Sequence, residues 1–154
     1  MAEDLSEIKR VLRSAYWMQK HLDADLEHLA RLRAKAESVG VRYDRPRVSC
    51  GEHKGPEEAA CAIVDCEKKI EAQTAKWKAA FEQVMKVIYG VEDQRYQILL
   101  LYRYRDFLPW ERIAVEMGYS WQYVHQLHKR ALKVASDVWH GQKEAIESDS
   151  LDVI

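Results

Sequence analysis

Two long stripes of regularly spaced residues constrain the fold of this chain more than any other feature. The first recurs at alternating intervals of three and four residues from Leu5 to Ala36, and the second recurs in the same way from Ile63 to Val91. This spacing places each set of side chains along one side of an α-helix. One helix alone cannot remove such a stripe from water, so the pattern predicts an antiparallel coiled-coil hairpin over residues 1–91, with a loop over 40–56.

The predicted contact positions are apolar with a few polar interruptions. On the first helix they are Leu5, Ile8, Leu12, Ala15, Gln19, Leu22, Leu26, Leu29, Arg33 and Ala36, and on the second Ile63, Cys66, Ile70, Gln73, Trp77, Ala80, Val84, Val87 and Val91. Gln19 and Gln73 lie at similar depths, so they either pair across the hairpin or reach solvent at its edge. A leftover apolar flank predicts a further contact, with the C-terminal residues or with a second copy of the chain: Tyr16, Leu32, Phe81 and Ile88.

Composition and charge argue against several classes of function. Apolar residues make up 47% of the chain and charged residues 32%, and the net charge is −1, so any contact with nucleic acid must come from local charge. No apolar run approaches the roughly 18 residues that a membrane span needs, and the acidic N-terminus does not resemble a signal peptide, so a cytoplasmic protein without a membrane partner is predicted. No nucleophile–base set or glycine-rich phosphate loop is visible, so we expect no enzyme activity and no cofactor.

Three cysteines raise the question of a metal site. Cys50 and His53 have C-x-x-H spacing, and Cys61 and Cys66 follow. Zinc needs four ligands that converge as a tetrahedron, whereas side chains five residues apart on a helix point away from each other. The pattern therefore predicts free thiols in a reducing compartment and no metal site.

A sharp corner is predicted around Gly118. One apolar face precedes it, formed by Trp110, Ile113, Ala114 and Met117. Ala114 is small where a second helix would cross closely, and Gly118 accepts the positive φ that a tight turn requires. Tyr119 is predicted to be a buried apolar lid, and Ser120 can cap the next helix with its hydroxyl group. This arrangement is typical of a helix-turn-helix unit.

The helix predicted over 120–138 has two contrasting faces. The inward face consists of Val124, Leu127, Ala131, Val134 and Val138, and the outward face of Trp121, Gln122, His125, Gln126, His128, Lys129 and Lys133. Residues 120–136 contain no acid but hold Lys129, Arg130 and Lys133, with Arg112 and two further arginines, Arg103 and Arg105, nearby. Glutamine can form paired hydrogen bonds with adenine, and lysine can reach guanine or phosphate, so this face is a candidate DNA-reading surface.

A third helix completes this C-terminal unit. Asp93 is a suitable cap for an apolar helix that runs up to the loop before Pro109. The predicted architecture is therefore all-α, with the hairpin at 1–91 followed by a three-helix helix-turn-helix unit at 92–140. The remaining residues, 141–154, are acidic and predicted to be a frayed tail.

The segments EDQRYQILLLYRY and LPWERIAVEMGYSWQYVHQLHKRAL resemble the fourth conserved region of bacterial sigma factors. The chain as a whole resembles small phage-encoded late transcription regulators of the ArpU and RinA kind. The resemblance implies a helix that reads bases in the major groove through Trp121, Gln122, His125 and Gln126, with Lys129 nearby. Sigma factors usually carry charged residues at the positions of Trp121, Gln122 and Lys129, whereas the first three reading positions of this chain are Trp, Gln and His. The resemblance therefore does not imply the same promoter sequence.

These observations lead to one expected function and two alternatives. The expected function is sequence-specific binding of double-stranded DNA by a phage- or prophage-derived transcription regulator. RNA polymerase is an expected partner. A homodimer through the hairpin would increase the affinity for DNA, because each chain alone contacts only a small part of it. The first alternative is a small-terminase-like DNA-packaging protein with less sequence preference. The second is an interaction module that binds RNA polymerase without reading DNA.

Overall fold

Five α-helices make up the regular structure of the chain. The computed structural model describes residues 2–40 and 56–151, and within these ranges the helices are α1 (Ala2–Gly40), α2 (Pro56–Tyr89), α3 (Gln94–Tyr104), α4 (Trp110–Met117) and α5 (Trp121–Leu151). The described residues contain no strand, so the predicted all-α class is confirmed. None of the described helices is both long enough and apolar enough to cross a membrane.

The described residues fall into two compact units. The first unit takes its residues from Met1–Trp17 and Ala79–Ile154, and the second from Met18–Lys78. This division differs from the boundary predicted after residue 91, because the ends of α1 and α2 share a core with the helices that follow them. The predicted division into a hairpin at 1–91 and a helix-turn-helix unit at 92–140 stays a prediction.

The second unit is held together by contacts between α1 and α2. Arg33 Nη2 lies 2.6 Å from Glu67 Oε1, and Lys69 Nζ lies 3.1 Å from Asp25 Oδ1. The partners follow opposite orders along the two helices, so the helices run antiparallel in this unit. Leu22, Leu29 and Cys66 are buried, but most of the other side chains of the unit are exposed or half-buried.

Two of the contact positions predicted on α1 are wrong. Leu26 is 51% exposed and Arg33 is also exposed, whereas Asp25 and Leu32 are half-buried. After Leu22 and after Leu29, the residue that is covered is therefore the one three positions later, and the one four positions later is exposed. A straight α-helix has 3.6 residues per turn, so a strict seven-residue stripe drifts by about 20° in each heptad. Drift alone would favour an additional step of four residues over one of three, so the contacts within this unit, and not drift, determine which side of α1 is buried.

The two glutamines of the hairpin do not hydrogen-bond to each other, which was one of the two predicted arrangements. Gln19 and Gln73 are both half-buried, and among the described residues no hydrogen bond joins them. The Oε1 atom of Gln73 is buried and has no hydrogen-bond partner in that part of the chain. Pairing of these two side chains therefore does not account for the register of the helices.

The first unit contains two apolar cores. The larger contains residues from four helices and the connector after α2: Ile8, Leu12, Ala15, Val84, Val87, Ile88, Val91, Leu100, Tyr104, Ala131, Leu132 and Ala135. The smaller lies among α3, α4 and α5: Leu99, Ile113, Ala114, Val124 and Leu127. In this unit the predicted apolar flank is covered by the chain itself, since Ile88 is fully buried, Phe81 packs against the larger core and the ring of Tyr16 contacts that of Phe107 at 5.0 Å.

The last helix is longer than predicted. The sequence pattern predicted its end at residue 138 and a frayed tail over 141–154, whereas α5 continues to Leu151. Residues 152–154 lie outside the described part. Two polar contacts support the continuation: Gln142 Nε2 donates to the Lys86 carbonyl oxygen at 3.1 Å, and Trp139 Nε1 donates to Glu7 Oε1 at 3.4 Å. The segment also lacks proline, the residue that most strongly breaks a helix.

A glycine allows α5 to approach the end of α2 closely. A Cβ atom at Gly90 would lie only 2.6 Å from Val138 Cγ1, which is far inside van der Waals contact. Only glycine leaves room for Val138 at this distance. The close contact helps to hold α5 against α2, and α5 carries most of the candidate site.

Candidate nucleic-acid interface

The corner between α4 and α5 has the local structure that the sequence predicts. Gly118 has φ 69° and ψ 30°, so the predicted positive φ is confirmed. The backbone N–H of Tyr119 donates to the carbonyl oxygen of Ala114 at 3.0 Å and closes the end of α4. Ser120 Oγ accepts a hydrogen bond from the backbone N–H of Tyr123 at 3.2 Å, which confirms the predicted cap of α5. Short-range interactions therefore set the point at which the chain changes direction.

Tyr119 does not act as the buried lid that was predicted. Its side chain is exposed, and its ring packs edge-on against that of Tyr123 with 4.9 Å between centroids. Both residues interact electrostatically with Arg95. The backbone N–H of Arg95 donates to the Asp93 carboxylate at 2.9 Å, so Asp93 caps α3. A side-chain hydrogen bond from Arg95 lowers the pKa of Asp93. The predicted cap at Asp93 is thus confirmed.

Most of the predicted DNA-reading side chains on α5 are accessible. Gln122, Gln126, Lys129, Arg130 and Lys133 are all exposed, and the indole of Trp121 is 49% exposed. Because successive helical residues are about 100° apart, Gln122, Gln126, Lys129 and Lys133 share one side of the helix. We call this side, with Arg130 at its edge, the polar face of α5. It combines two amide side chains and three cations within four turns.

His125 is in a different environment from the polar face. It is half-buried, and its ring lies between two indoles, with centroids 4.6 Å from Trp110 and 4.1 Å from Trp121. Its Nε2 atom is buried and has no hydrogen-bond partner among the described residues. His125 is thus placed to orient Trp121 at the start of α5, and much of its own ring is covered.

His128, which was predicted on the outward face, is buried. It is 9% exposed, and its Nε2 atom lies 2.9 Å from Tyr104 Oη. Burial lowers the pKa of His128 to about 3, and the positive charges of Lys9 and Arg103 act in the same direction. The imidazole is therefore neutral at pH 7, and the direction of its hydrogen bond with the Tyr104 hydroxyl depends on its tautomer. Burial also raises the pKa of Tyr104 to about 12. The prediction failed because residue spacing on α5 cannot show which neighbouring helix covers this side.

Some basic side chains near the corner form ion pairs or stack on an aromatic ring, and others do neither. Arg112 pairs with Glu116 at 2.8 Å, and Arg105 pairs with Asp106 at 2.8 Å, so neighbouring carboxylates offset both charges. Arg103 stacks over the Trp110 ring at 4.5 Å and donates to the carbonyl oxygen of Leu108 at 2.9 Å. By contrast, no ion pair among the described residues involves the basic residues of the polar face, Lys129, Arg130 and Lys133. The available positive charge near the corner is therefore concentrated on α5.

The positive part of α5 has a clear end. Asp137 is exposed and lies four residues after Lys133, so the two side chains are neighbours on the same side of the helix. Further along, Glu144 and Glu147 are also exposed. A polyanion that follows the polar face would therefore meet repulsion beyond Lys133, which limits favourable contact to the first four turns of α5.

Several contacts of the site could not be predicted from sequence spacing. The contact between Trp121 and His125 is visible in principle, because residues four apart on a helix are neighbours. The stacking of Arg103 on Trp110 and the hydrogen bond between Tyr104 and His128 join residues on different helices. No periodic pattern within one helix encodes such pairs.

The described residues offer no group of three or more histidine, cysteine or acidic side chains that could hold a metal ion. Cys61 is exposed and Cys66 is buried, both as free thiols, whereas Cys50 and His53 lie outside the described residues.

Comparisons of the chain with protein-family models, curated proteins and solved structures give no match.

Proposed function

We propose that this chain is a helix-turn-helix protein that binds double-stranded DNA in a sequence-dependent manner and regulates transcription. In this proposal α4, the turn at Gly118 and α5 form the helix-turn-helix, and the polar face of α5 enters the major groove. The antiparallel part of α1 and α2 forms a coiled-coil hairpin that is available to partners. The likeness of residues 92–132 to the fourth region of sigma factors supports the link with transcription and with phage regulators.

The observation that carries the proposal is the exposed polar face at the start of α5. Gln122 and Gln126 lie one turn apart and are exposed, and glutamine can make two hydrogen bonds with the major-groove edge of adenine. Lys129 and Lys133 continue the same side of the helix with available positive charge, which suits guanine or backbone phosphate. An ordinary solvated helix in a chain of net charge −1 would be expected to mix both signs of charge over this length.

Site selection followed by mutation tests the proposal. The full chain is used to select binding sites from random double-stranded DNA, and affinity for the selected site is measured for the wild type and for the double variant Gln122→Ala, Gln126→Ala. Each lost paired base contact should cost about 1–3 kcal/mol, and the variant should accept a wider range of sequences.

Gln83→Ala provides the matched control, because Gln83 is an exposed glutamine on α2, away from the polar face. It should leave both affinity and sequence choice unchanged. Tight binding without sequence preference would favour the packaging alternative. Absence of any DNA binding would contradict the proposal and favour the interaction module.

A further inference from the structure

A cavity in the first unit lies outside the polar face of α5. Its volume is about 250 Å³, and it is lined by Arg13, Tyr16, Trp17, Arg103, Tyr104 and Phe107. This space is somewhat smaller than a typical small-molecule pocket, which has about 300–1,000 Å³. It can hold one large side chain rather than an extended ligand.

The charge at the cavity is positive. Two of its six lining residues are arginines and none is acidic. Arg13 is exposed and makes no hydrogen bond or ion pair with any described residue. Arg103 contacts an indole ring and a carbonyl oxygen, and no ion pair joins it to a carboxylate among the described residues. The guanidinium groups are therefore available to an anionic group, and two arginines can recognise carboxylates through directed hydrogen bonds.

One aromatic residue at the cavity is largely exposed, and two others, Tyr16 and Phe107, are half-buried. Trp17 is 62% exposed and stands edge-on to Tyr16, with 5.3 Å between ring centroids. Phe107 has φ 54°, a left-handed backbone conformation that is unfavourable for a non-glycine residue, and its ring contacts Tyr16. Strained backbone of this kind is found preferentially at functional sites. Exposed tryptophan, tyrosine and arginine are also the residues that contribute most to binding at protein–protein interfaces.

The cavity and the polar face lie on different sides of α5. Tyr104, which lines the cavity, bonds to His128, and His128 lies about 120° around the helix from Gln122. A ligand could therefore occupy the cavity while the polar face is in contact with another molecule. The cavity contains no lysine, and its small volume and rigid aromatic walls suit a side chain better than a run of phosphates.

From these observations we propose that the cavity binds a short acidic segment of a partner protein, with an aromatic side chain of that segment inserted among Tyr16, Trp17 and Phe107. The flanking carboxylates of the segment then contact Arg13 and Arg103. This proposal does not depend on DNA binding by α5, so either can fail without the other.

The test uses the full chain and blocked pentapeptides followed by ¹H–¹⁵N nuclear magnetic resonance. The peptide DDFDD carries both proposed features, DDADD lacks the aromatic ring, and KKFKK carries the opposite charge. DDFDD should shift the indole signal of Trp17, assigned with Trp17→Phe, and should bind at least fivefold more tightly than either control peptide. Arg13→Ala should weaken DDFDD binding at least fivefold.

Arg10→Ala is the matched control variant, since Arg10 is an exposed arginine on α1 that does not line the cavity. It should change the dissociation constant by less than twofold. The proposal is overturned if Arg10→Ala and Arg13→Ala weaken binding equally, if KKFKK binds as well as DDFDD, or if no peptide shifts the Trp17 signal. Tighter binding of a thymidine pentanucleotide than of DDFDD at the same signals would also overturn it, in favour of a nucleic-acid site.

Discussion

At the residue scale, the buried pair Tyr104 and His128 connects α3 to α5 and makes the fold sensitive to acid. A hydrogen bond of 2.9 Å joins Tyr104 Oη and His128 Nε2 at a site where burial opposes the charged form of the imidazole. Lys9 and Arg103 add positive charge around this imidazole, which further opposes its protonation. Protonation of His128 in the folded chain is therefore unfavourable, and acid shifts the equilibrium toward the unfolded chain.

The pKa of His128 predicts how stability depends on pH. It falls from an ordinary 6.5 to about 3 in the folded chain, so between these values the unfolded chain binds the extra proton. Stability should therefore be unaffected by this group above about pH 6.5 and should fall by about 1.4 kcal/mol for each pH unit below it. Between pH 7 and pH 5 the free energy of unfolding should fall by about 2 kcal/mol. Urea unfolding at the two pH values measures this loss.

His128→Gln is the informative variant for this pH dependence. Glutamine does not titrate, but its Oε1 atom can accept the hydroxyl hydrogen of Tyr104. The variant should lose about 2 kcal/mol less than the wild type between pH 7 and pH 5. Equal losses in both proteins would show that protonation of His128 carries no penalty in the folded chain.

Substitution by alanine should have opposite effects on stability at Gly118 and at Gly141, because the two glycines differ in backbone conformation. Gly118→Ala should destabilise the chain by about 1 kcal/mol, because φ 69° is unfavourable for a residue with a Cβ atom, although space around it is open. Gly141→Ala should stabilise it by about 0.5–1 kcal/mol, because Gly141 lies within α5 and its Cβ position is also open.

Thermal or urea unfolding of both variants measures the difference between these sites. Gly118→Asn should fall between wild type and Gly118→Ala, since asparagine tolerates the left-handed region better than alanine. If Gly118→Ala stabilises the chain as Gly141→Ala does, the corner does not depend on the positive φ.

At the element scale, the second unit shows how a regular stripe changes its buried side. Leu29 is 6% exposed, whereas Leu26, three residues earlier, projects largely into solvent. Leu29→Asp would bury a carboxylate against α2 and should reduce helical circular dichroism and the melting temperature, with a loss of about 3 kcal/mol or more.

Leu26→Asp places the same charge on the same helix and should change stability by less than about 1 kcal/mol, as an exposed substitution does. The pair of variants thus measures which side of α1 faces α2. Similar effects of the two substitutions would contradict the observed shift from i+4 to i+3.

The secondary structure and the corner could be predicted because short-range features determine them. Gly118, Ser120 and Asp93 act on residues within five positions of themselves, so the sequence around each one is sufficient. The exposure of Leu26 depends instead on which side of α1 packs against α2, whose contacting residues lie 34 to 44 positions away. The burial of His128 depends on Tyr104, which lies 24 residues away. Neither effect can be read from a local pattern.

At the scale of the whole molecule, a chain of net charge −1 must bind a polyanion through a small region. The polar face supplies three cations, and binding should release about 0.9 counterion for each phosphate that they neutralise. The slope of log affinity against log salt concentration should therefore be no steeper than about −3 per chain. A slope twice as steep would indicate two chains on the DNA, the homodimer predicted from the sequence.

Variants that each remove one charge show how much a given residue contributes to the salt dependence of binding. Lys133→Ala should reduce its magnitude by up to about one, whereas Lys143→Ala, on the same helix beyond Asp137, should leave it unchanged. Asp137→Asn should raise affinity at low salt, because it removes the repulsion at the end of the positive region. An equal effect of Lys133→Ala and Lys143→Ala would mean that the DNA is not confined to the first turns of α5.

The unbroken course of α5 also has a mechanical consequence. A helix of 31 residues is about 46 Å long, so a tilt of 10° at one end displaces the other by about 8 Å. Small differences in how the first turns sit on a surface are thereby converted into large differences in where residues 141–151 project. The angle at which the first turns of α5 are held therefore determines where the far end of the helix lies.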